Sequence, residues 1–172
     1  MLAGWTLCTI DRAHSWPVSG DERGKVINRF IGQYAFLSNF YPTYIKLDGS
    51  IYPSVENAYQ ASKTINPKER YPFLDCKPNV SKKIGRLISI RPDWDNIRLV
   101  IMRELLDQKF HKKDMKELLL MTGDQELIEG NWWGDKFWGV CQGEGRNELG
   151  KMLMDIRKGL SMENTEEAKY GY

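Results

Sequence analysis

The chain has 172 residues, 41% of them hydrophobic, 12% aromatic and 28% charged, with 25 Lys and Arg against 23 Asp and Glu. That length suits one domain or two small ones, and so much apolar material builds a core, which excludes global disorder. The near-neutral balance speaks against bulk electrostatic attraction to nucleic acid, and no apolar run approaches the roughly 20 residues that cross a bilayer.

In chain order, residues 5–10 favour a strand and residues 15–24, with Pro17, Gly20 and Gly24, a loop. A strand follows over residues 26–31. Residues 44–47, then Asp48-Gly49, then Ile51-Tyr52 spell a hairpin, because Asp-Gly accepts the positive φ of a tight turn. Ser54 caps a helix over residues 54–64, and Ser81 a second one with Ile84, Leu87 and Ile88 on one face. Asp93 caps a third, whose stripe of Ile97, Val100, Ile101 and Leu105 runs to about Phe110, and residues 115–121 form a short fourth. Strands over residues 126–129 and 136–141 flank the aromatic turn Asn131-Trp132-Trp133-Gly134. Asn147 caps a final helix with the stripe Leu149, Met152, Leu153, Ile156 and Leu160, after which a polar tail over residues 161–172 frays. Strands at both ends and helices between predict a single compact, mostly helical α+β domain with short strands. An N-terminal extension over residues 1–25 precedes the domain at 26–160.

The start of the chain, Met1-Leu2-Ala3-Gly4-Trp5, has neither the basic beginning nor the apolar stretch of a signal peptide, so a cytoplasmic location without membrane contact is expected. Cys8, Cys76 and Cys141 stand far apart without a CxxC pair, which argues against a disulfide framework or a zinc site. There is no GxxxxGK[ST] loop and no GxGxxG motif. Gly143-Glu144-Gly145 before Asn147 is either a plain tight turn or a set of free N–H groups that receives a phosphate.

Glu56, Gln60 and Lys63 are spaced by four and three, so their polar ends share one helix face. They form either a solvated face or a carboxylate and an amine converging on a small site, where burial shifts both toward neutrality. Trp132, Trp133 and Trp138 make either an aromatic corner of the core or a wall that stacks a planar base with Asp135 at its rim. Trp94, beside Asp93, carries the same two readings. His14 and His111 are isolated and do not read as catalytic bases.

A set of stretches then falls in a familiar order. They are Phe36-Leu37-Ser38-Asn39-Phe40-Tyr41-Pro42, Tyr52-Pro53-Ser54-Val55-Glu56-Asn57-Ala58-Tyr59-Gln60-Ala61-Ser62-Lys63, Gly85-Arg86 and Arg91-Pro92-Asp93-Trp94. Val100-Ile101-Met102, Lys109-Phe110, Leu127-Ile128-Glu129, Trp133-Gly134-Asp135 and Gly145-Arg146-Asn147-Glu148-Leu149-Gly150-Lys151-Met152-Leu153-Met154 complete it. Together they resemble the NADAR, or YbiA-like, family from about Asn28 to Leu160.

The resemblance implies a YbiA-like fold and an N-glycosidase that hydrolyses the bond between ribose C1′ and a base-like amine. The substrate classes it implies are ribosylamino-pyrimidine phosphates of riboflavin synthesis and ADP-ribose attached to guanine, free or within nucleic acid. Glu56, Trp94 and Asp135 match the family's helix carboxylate, helix-start tryptophan and carboxylate after Trp-Gly, and Lys63 matches its helix lysine. Glu56, Lys63 and Asp135 are thus expected to be catalytic, with Asn39, Phe40, Gln60, Trp94, Trp133, Gly145 and Asn147 contacting substrate. Asn57 departs from the pattern, since many relatives carry His there.

Cleaving an N-glycoside develops positive charge at C1′, which a carboxylate stabilises while a proton donor assists the leaving amine. Glu56 and Asp135 can divide those roles, or Lys63 can exchange with an opened imine to form a Schiff base that water hydrolyses. Neither route calls for a metal or a redox cofactor. The competing reading is a module that binds NAD or ADP-ribose without turnover.

Overall fold

At the Asp48-Gly49 turn both residues take positive φ, 47° and 78°, and antiparallel strands β2 (Ile45–Leu47) and β3 (Ser50–Tyr52) pair Ile45 with Tyr52 and Leu47 with Ser50. The hairpin is therefore as the sequence reads, with Ile45 and Tyr52 buried on its inner face. This computed structural model describes residues 25–170, with side chains through Thr165. The strand and loop expected over residues 5–24 lie outside the described residues.

The strand expected over residues 26–31 is only β1 (Val26–Ile27), because the chain turns into a 3-10 segment over Gly32–Leu37. Helix α1 (Val55–Ala61) starts at Ser54, whose Oγ accepts the Asn57 N–H at 3.2 Å. It stops before the expected end, leaving Lys63 in the turn beyond it. All seven of its residues are buried, since α3 (Pro78–Ile84), α4 (Trp94–Phe110) and the hairpin pack around it. Asn57 is fully buried, donating Nδ2 to the carbonyls of Phe73 (2.9 Å) and Cys76 (2.8 Å). The short helix α2 (Pro67–Arg70) and a 3-10 turn over Tyr71–Phe73 were not legible beforehand.

Three expectations about caps and faces are corrected. Ser81 lies inside α3 and fully buried, because Pro78, which lacks an N–H, starts the helix; Leu87 is 85% exposed. Asp93 sits at the start of α4, yet its carboxylate pairs with Arg91 at 2.6 Å rather than capping the helix. The buried face of α4 is Trp94, Met102, Leu105, Leu106, Lys109 and Phe110, whereas Val100 is 58% exposed. Of the expected stripe, Leu105 is buried and Ile97 and Ile101 pack partly buried against the core, so only Val100 is turned out, while the polar Lys109 joins the buried face.

After α5 (Lys113–Leu120), β4 (Glu126–Leu127) pairs in parallel with β1, and β5 (Gly130–Asn131) in parallel with β6 (Val140–Cys141). Both expected strands are thus shorter than read, and β5 enters the aromatic turn. Helix α6 (Glu148–Tyr170) buries Leu149, Leu153, Ile156 and Leu160, and it continues through the tail that the sequence assigned to fraying. Its first turn is closed by backbone: the N–H groups of Glu148 and Leu149 donate to the carbonyls of Phe137 (3.2 Å) and Trp138 (3.1 Å).

Candidate active site

A cavity of about 270 Å³ opens between α1, α3, α4, the segment after the first 3-10 turn and the aromatic turn. Glu56, Gln60 and Lys63 reach it from α1 and the turn beyond, Trp94 from α4, Asn39 and Phe40 from the loop before the hairpin, and Trp133 and Asp135 from the aromatic turn. Those eight residues, picked from the sequence, converge on one space. Gly145 and Asn147 do not line it, and the N–H groups of Arg146, Glu148 and Leu149 are taken by Lys136, Phe137 and Trp138 carbonyls. The loop at 143–147 is thus closed as a phosphate cradle, and Asn147 accepts the Glu129 N–H at 3.1 Å and donates to the Leu127 carbonyl at 2.9 Å.

Glu56 is 6% exposed, so the solvated-face alternative falls. Its Oε1 accepts from Gln60 Nε2 at 2.8 Å, and burial pushes its carboxyl above the ordinary range against the pull of Gln60, Lys82 and Lys63. Gln60 in turn lies on Gly85, where a Cβ would sit 1.9 Å from Oε1; the close approach needs a residue without a side chain. Lys63 is held near Trp94 because its carbonyl accepts the Arg91 N–H at 2.7 Å. Its ammonium lies 5.9 Å from the ring centres of both Tyr59 and Trp94, and burial, then Lys82 and Arg86, push its pKa down while Glu56 opposes.

Asp135 is set by a turn within a turn. Its backbone N–H donates to Asn131 Oδ1 (3.0 Å), Asn131 Nδ2 donates back to its carbonyl (2.7 Å), and its own Oδ1 accepts from Phe137 N (3.2 Å) and Trp138 N (2.9 Å). Trp94 packs in the wall against Tyr59 at 5.0 Å, and Tyr59 meets the edge of Trp138 at 5.4 Å. Trp133 is half exposed at the rim, with Lys82 at 5.6 Å from its ring.

The sequence reading missed Lys82, Arg98 and Glu129 as cavity residues. Arg98 could have been found, since it follows Trp94 by one helical turn; it stacks on Phe137 at 4.1 Å. Glu129 entered the sequence reading only as the end of the family-matching stretch Leu127-Ile128-Glu129, with no role attached. Burial, then Asp135, push its carboxyl up to about 7. Among the described residues, five buried side-chain polar atoms lack a partner, and four of them belong to cavity residues: Asn39 Oδ1, Gln60 Oε1, Arg98 Nε and Glu129 Oε2. Each such atom costs about 1–3 kcal/mol unless something meets it; Gln60 Oε1 is packed on Gly85, and the other three mark a place built for a polar ligand.

The NADAR domain profile matches residues 28–161. The chain belongs to the NADAR family. It is 34% identical over 135 residues to the N-glycosidase YbiA of Escherichia coli, covering 76% of this chain and 84% of that one. The NMR structure of that protein superposes with a TM-score of 0.74 at 31% identity, over 87% of this chain and 92% of the other. An N-glycosidase of Nostoc punctiforme is 37% identical over 133 residues, covering 73% of this chain and 85% of its own. A riboflavin biosynthesis protein of Vibrio vulnificus is 37% identical over 132 residues, covering 74% of this chain but 36% of its own. The NADAR protein described here is accordingly an enzyme, a hydrolase acting on N-glycosyl bonds, with an α+β fold of the YbiA type.

Proposed function

We propose that the protein cleaves the bond between C1′ of a ribose and the nitrogen of a base-like amine, as in ribosylamino-pyrimidine phosphates or ADP-ribosylated guanine. The observation that carries this reading is the convergence of Glu56, Asp135 and Lys63 on one cavity whose buried polar atoms await a partner. As the C1′–N bond lengthens, positive charge grows on the sugar, and a carboxylate in a poorly solvated cavity stabilises it far better than water does. Glu56 and Asp135 supply that stabilisation, and Glu56 takes up the proton of the attacking water. Trp94 and Trp133 flank the heterocycle, and Asn39, Phe40 and Gln60 bound the sugar. Lys82 and Arg98, rather than the loop at 143–147, meet a substrate phosphate, consistent with the unpartnered Arg98 Nε.

Lys63 adds a covalent route. Its depressed pKa raises the fraction of free amine, which is what exchange with a ring-opened imine requires. The name of the Vibrio relative favours a free metabolite as substrate. Incubation with each substrate class, followed by chromatography for the released base, tests the reading, and release from neither class overturns it. Borohydride added during turnover is expected to leave a reduced sugar adduct on Lys63, located by mass spectrometry. Turnover without an adduct, and with Lys63→Arg retaining substantial rate, leaves the direct carboxylate route.

A further inference from the structure

The cavity contains a third carboxyl, and its backbone is hydrogen-bonded at both ends. Glu129 lies between β4 and β5. Its N–H donates to Asn147 Oδ1 at 3.1 Å and its carbonyl accepts from Val140 N–H at 2.9 Å. Gly139 beside it leaves the space the side chain passes through, since a Cβ there would stand 3.0 Å from Glu129 Cγ and 2.1 Å from its carbonyl oxygen. So directed, the side chain lines the cavity, and its Oε2 is buried with no partner.

An ion-paired structural carboxylate looks different. Among the described residues no Lys or Arg comes within salt-bridge distance of Glu129, and the nearby Lys109 gives its ammonium to the Ser38 carbonyl at 2.8 Å. Glu56 and Asp135 each have an oxygen accepting from N–H donors aimed at it, the arrangement of an acceptor; Glu129 Oε2 has none. The groups that face it are Glu56 and Lys63 from α1 and its following turn, Lys82 of α3, Arg98 and Lys109 of α4, and Asp135 of the aromatic turn.

We propose that Glu129 is the catalytic acid that protonates the leaving amine. The inference rests on the N-glycosidase reading. As the C1′–N bond breaks, its electron pair moves onto nitrogen and the proton of the Glu129 carboxyl bonds there. Water adds its oxygen to C1′ and yields a proton to Glu56. The base leaves with the proton from Glu129, the sugar keeps the hydroxyl, and the proton on Glu56 returns to Glu129 through solvent before the next turnover. Held up to about 7 by burial and by Asp135, the Glu129 carboxyl keeps its proton where an ordinary glutamate has lost it.

The test compares the whole protein with Glu129→Gln on two ribosides of the same sugar. One bears an aminopyrimidine, and the other bears 4-nitrophenolate, which leaves without a proton. The variant is expected to lose about two or more orders of magnitude in kcat on the amine but less than about tenfold on the nitrophenyl riboside. The wild type is expected to show a fall in kcat/KM above about pH 7, and the variant to lack it. Where the wild type cleaves only the amine, that alkaline limb decides. Equal losses on both ribosides, or an unchanged limb, overturn the proposal and leave the N-glycosidase reading standing; a wild type that releases neither group overturns both. Should Glu129→Gln fail to fold, Glu129→Ala replaces it on the same two ribosides and the same pH profile, and equal losses on both ribosides or an unchanged alkaline limb in the folded variant overturn the proposal.

Discussion

Glu56 is a carboxylate placed where its charge is costly. Its folded pKa lies above the unfolded value, so the folded state binds the extra proton, and its charged form weakens the fold as pH rises past the unfolded value. Glu56→Gln keeps the shape and removes that penalty. The expected outcome is a melting temperature at pH 7–8 that is unchanged or higher, together with a kcat lower by about two orders of magnitude or more, read by calorimetry and base release on one preparation. Equal loss of both would make Glu56 a structural residue. The two tryptophans separate in the opposite way. Trp94 is 8% exposed and packed on Tyr59, so Trp94→Ala is expected to cost about 3–5 kcal/mol of stability, measured by urea unfolding. Trp133, half exposed at the rim, is expected to leave the melt unchanged on truncation and to weaken substrate binding by about 1–3 kcal/mol, measured by titration calorimetry.

At the level of elements, the site depends on pieces that never touch the cavity. The turn that carries Asp135 is clamped by Asn131, and the one that carries Glu129 by Asn147. Asn147 has φ 51°, a left-handed conformation that Asn tolerates and Ala does not favour, and its side chain satisfies both the Glu129 N–H and the Leu127 carbonyl. Asn147→Ala is therefore expected to destabilise by about 2–4 kcal/mol, with an equal effect on substrates with and without a phosphate. A selective rise in KM for the phosphorylated substrate, with the melt unchanged, would restore the phosphate role that its position in the sequence suggested. Lys109 plays a comparable part for α4, where its fully buried ammonium holds the Ser38 carbonyl and with it the loop that bears Asn39 and Phe40.

For the molecule as a whole, buried groups of opposite kind set the pH dependence of stability, with Glu129 joining Glu56 on the acid side and Lys109 opposing them. Glu129 moves from 4.5 up to about 7, so between those values the folded state holds a proton that the unfolded state has lost, and stability falls with rising pH by about 3 kcal/mol. Lys109 moves from 10.5 down to about 7 on burial, so above neutrality the unfolded state binds the extra proton and stability rises again. Chemical denaturation from pH 5 to 10 is expected to show a shallow minimum near neutrality. Glu129→Gln should flatten its acid side, and Lys109→Met its alkaline side. A monotonic profile in the wild type would show that these groups titrate near their ordinary values.

The sequence by itself determined what depends on neighbours along the chain. Asp48-Gly49 dictated the hairpin through its φ angles, Ser54 the start of α1 through one hydrogen bond, and the spacing of Leu149, Leu153, Ile156 and Leu160 the buried face of α6. The ordered family motifs brought Glu56, Lys63, Trp94 and Asp135 into one expectation, and all four line the cavity. Only the tertiary structure decided which polar residues leave water. Periodicity assigns polar residues to solvent, yet α1 is enclosed by α3, α4 and the hairpin, so Glu56 and Gln60 are buried, and on α4 the buried face includes Lys109. The loop at 143–147 looked open in the sequence, yet the N–H of Glu144 donates to the nearby Cys141 carbonyl and those of Arg146 and Asn147 to the Lys136 and Gly139 carbonyls, which folding brings to them. Glu129 joined Glu56 and Asp135 for the same reason: burial and long-range pairing arise from contacts between segments far apart in the chain, and no spacing within one segment encodes them.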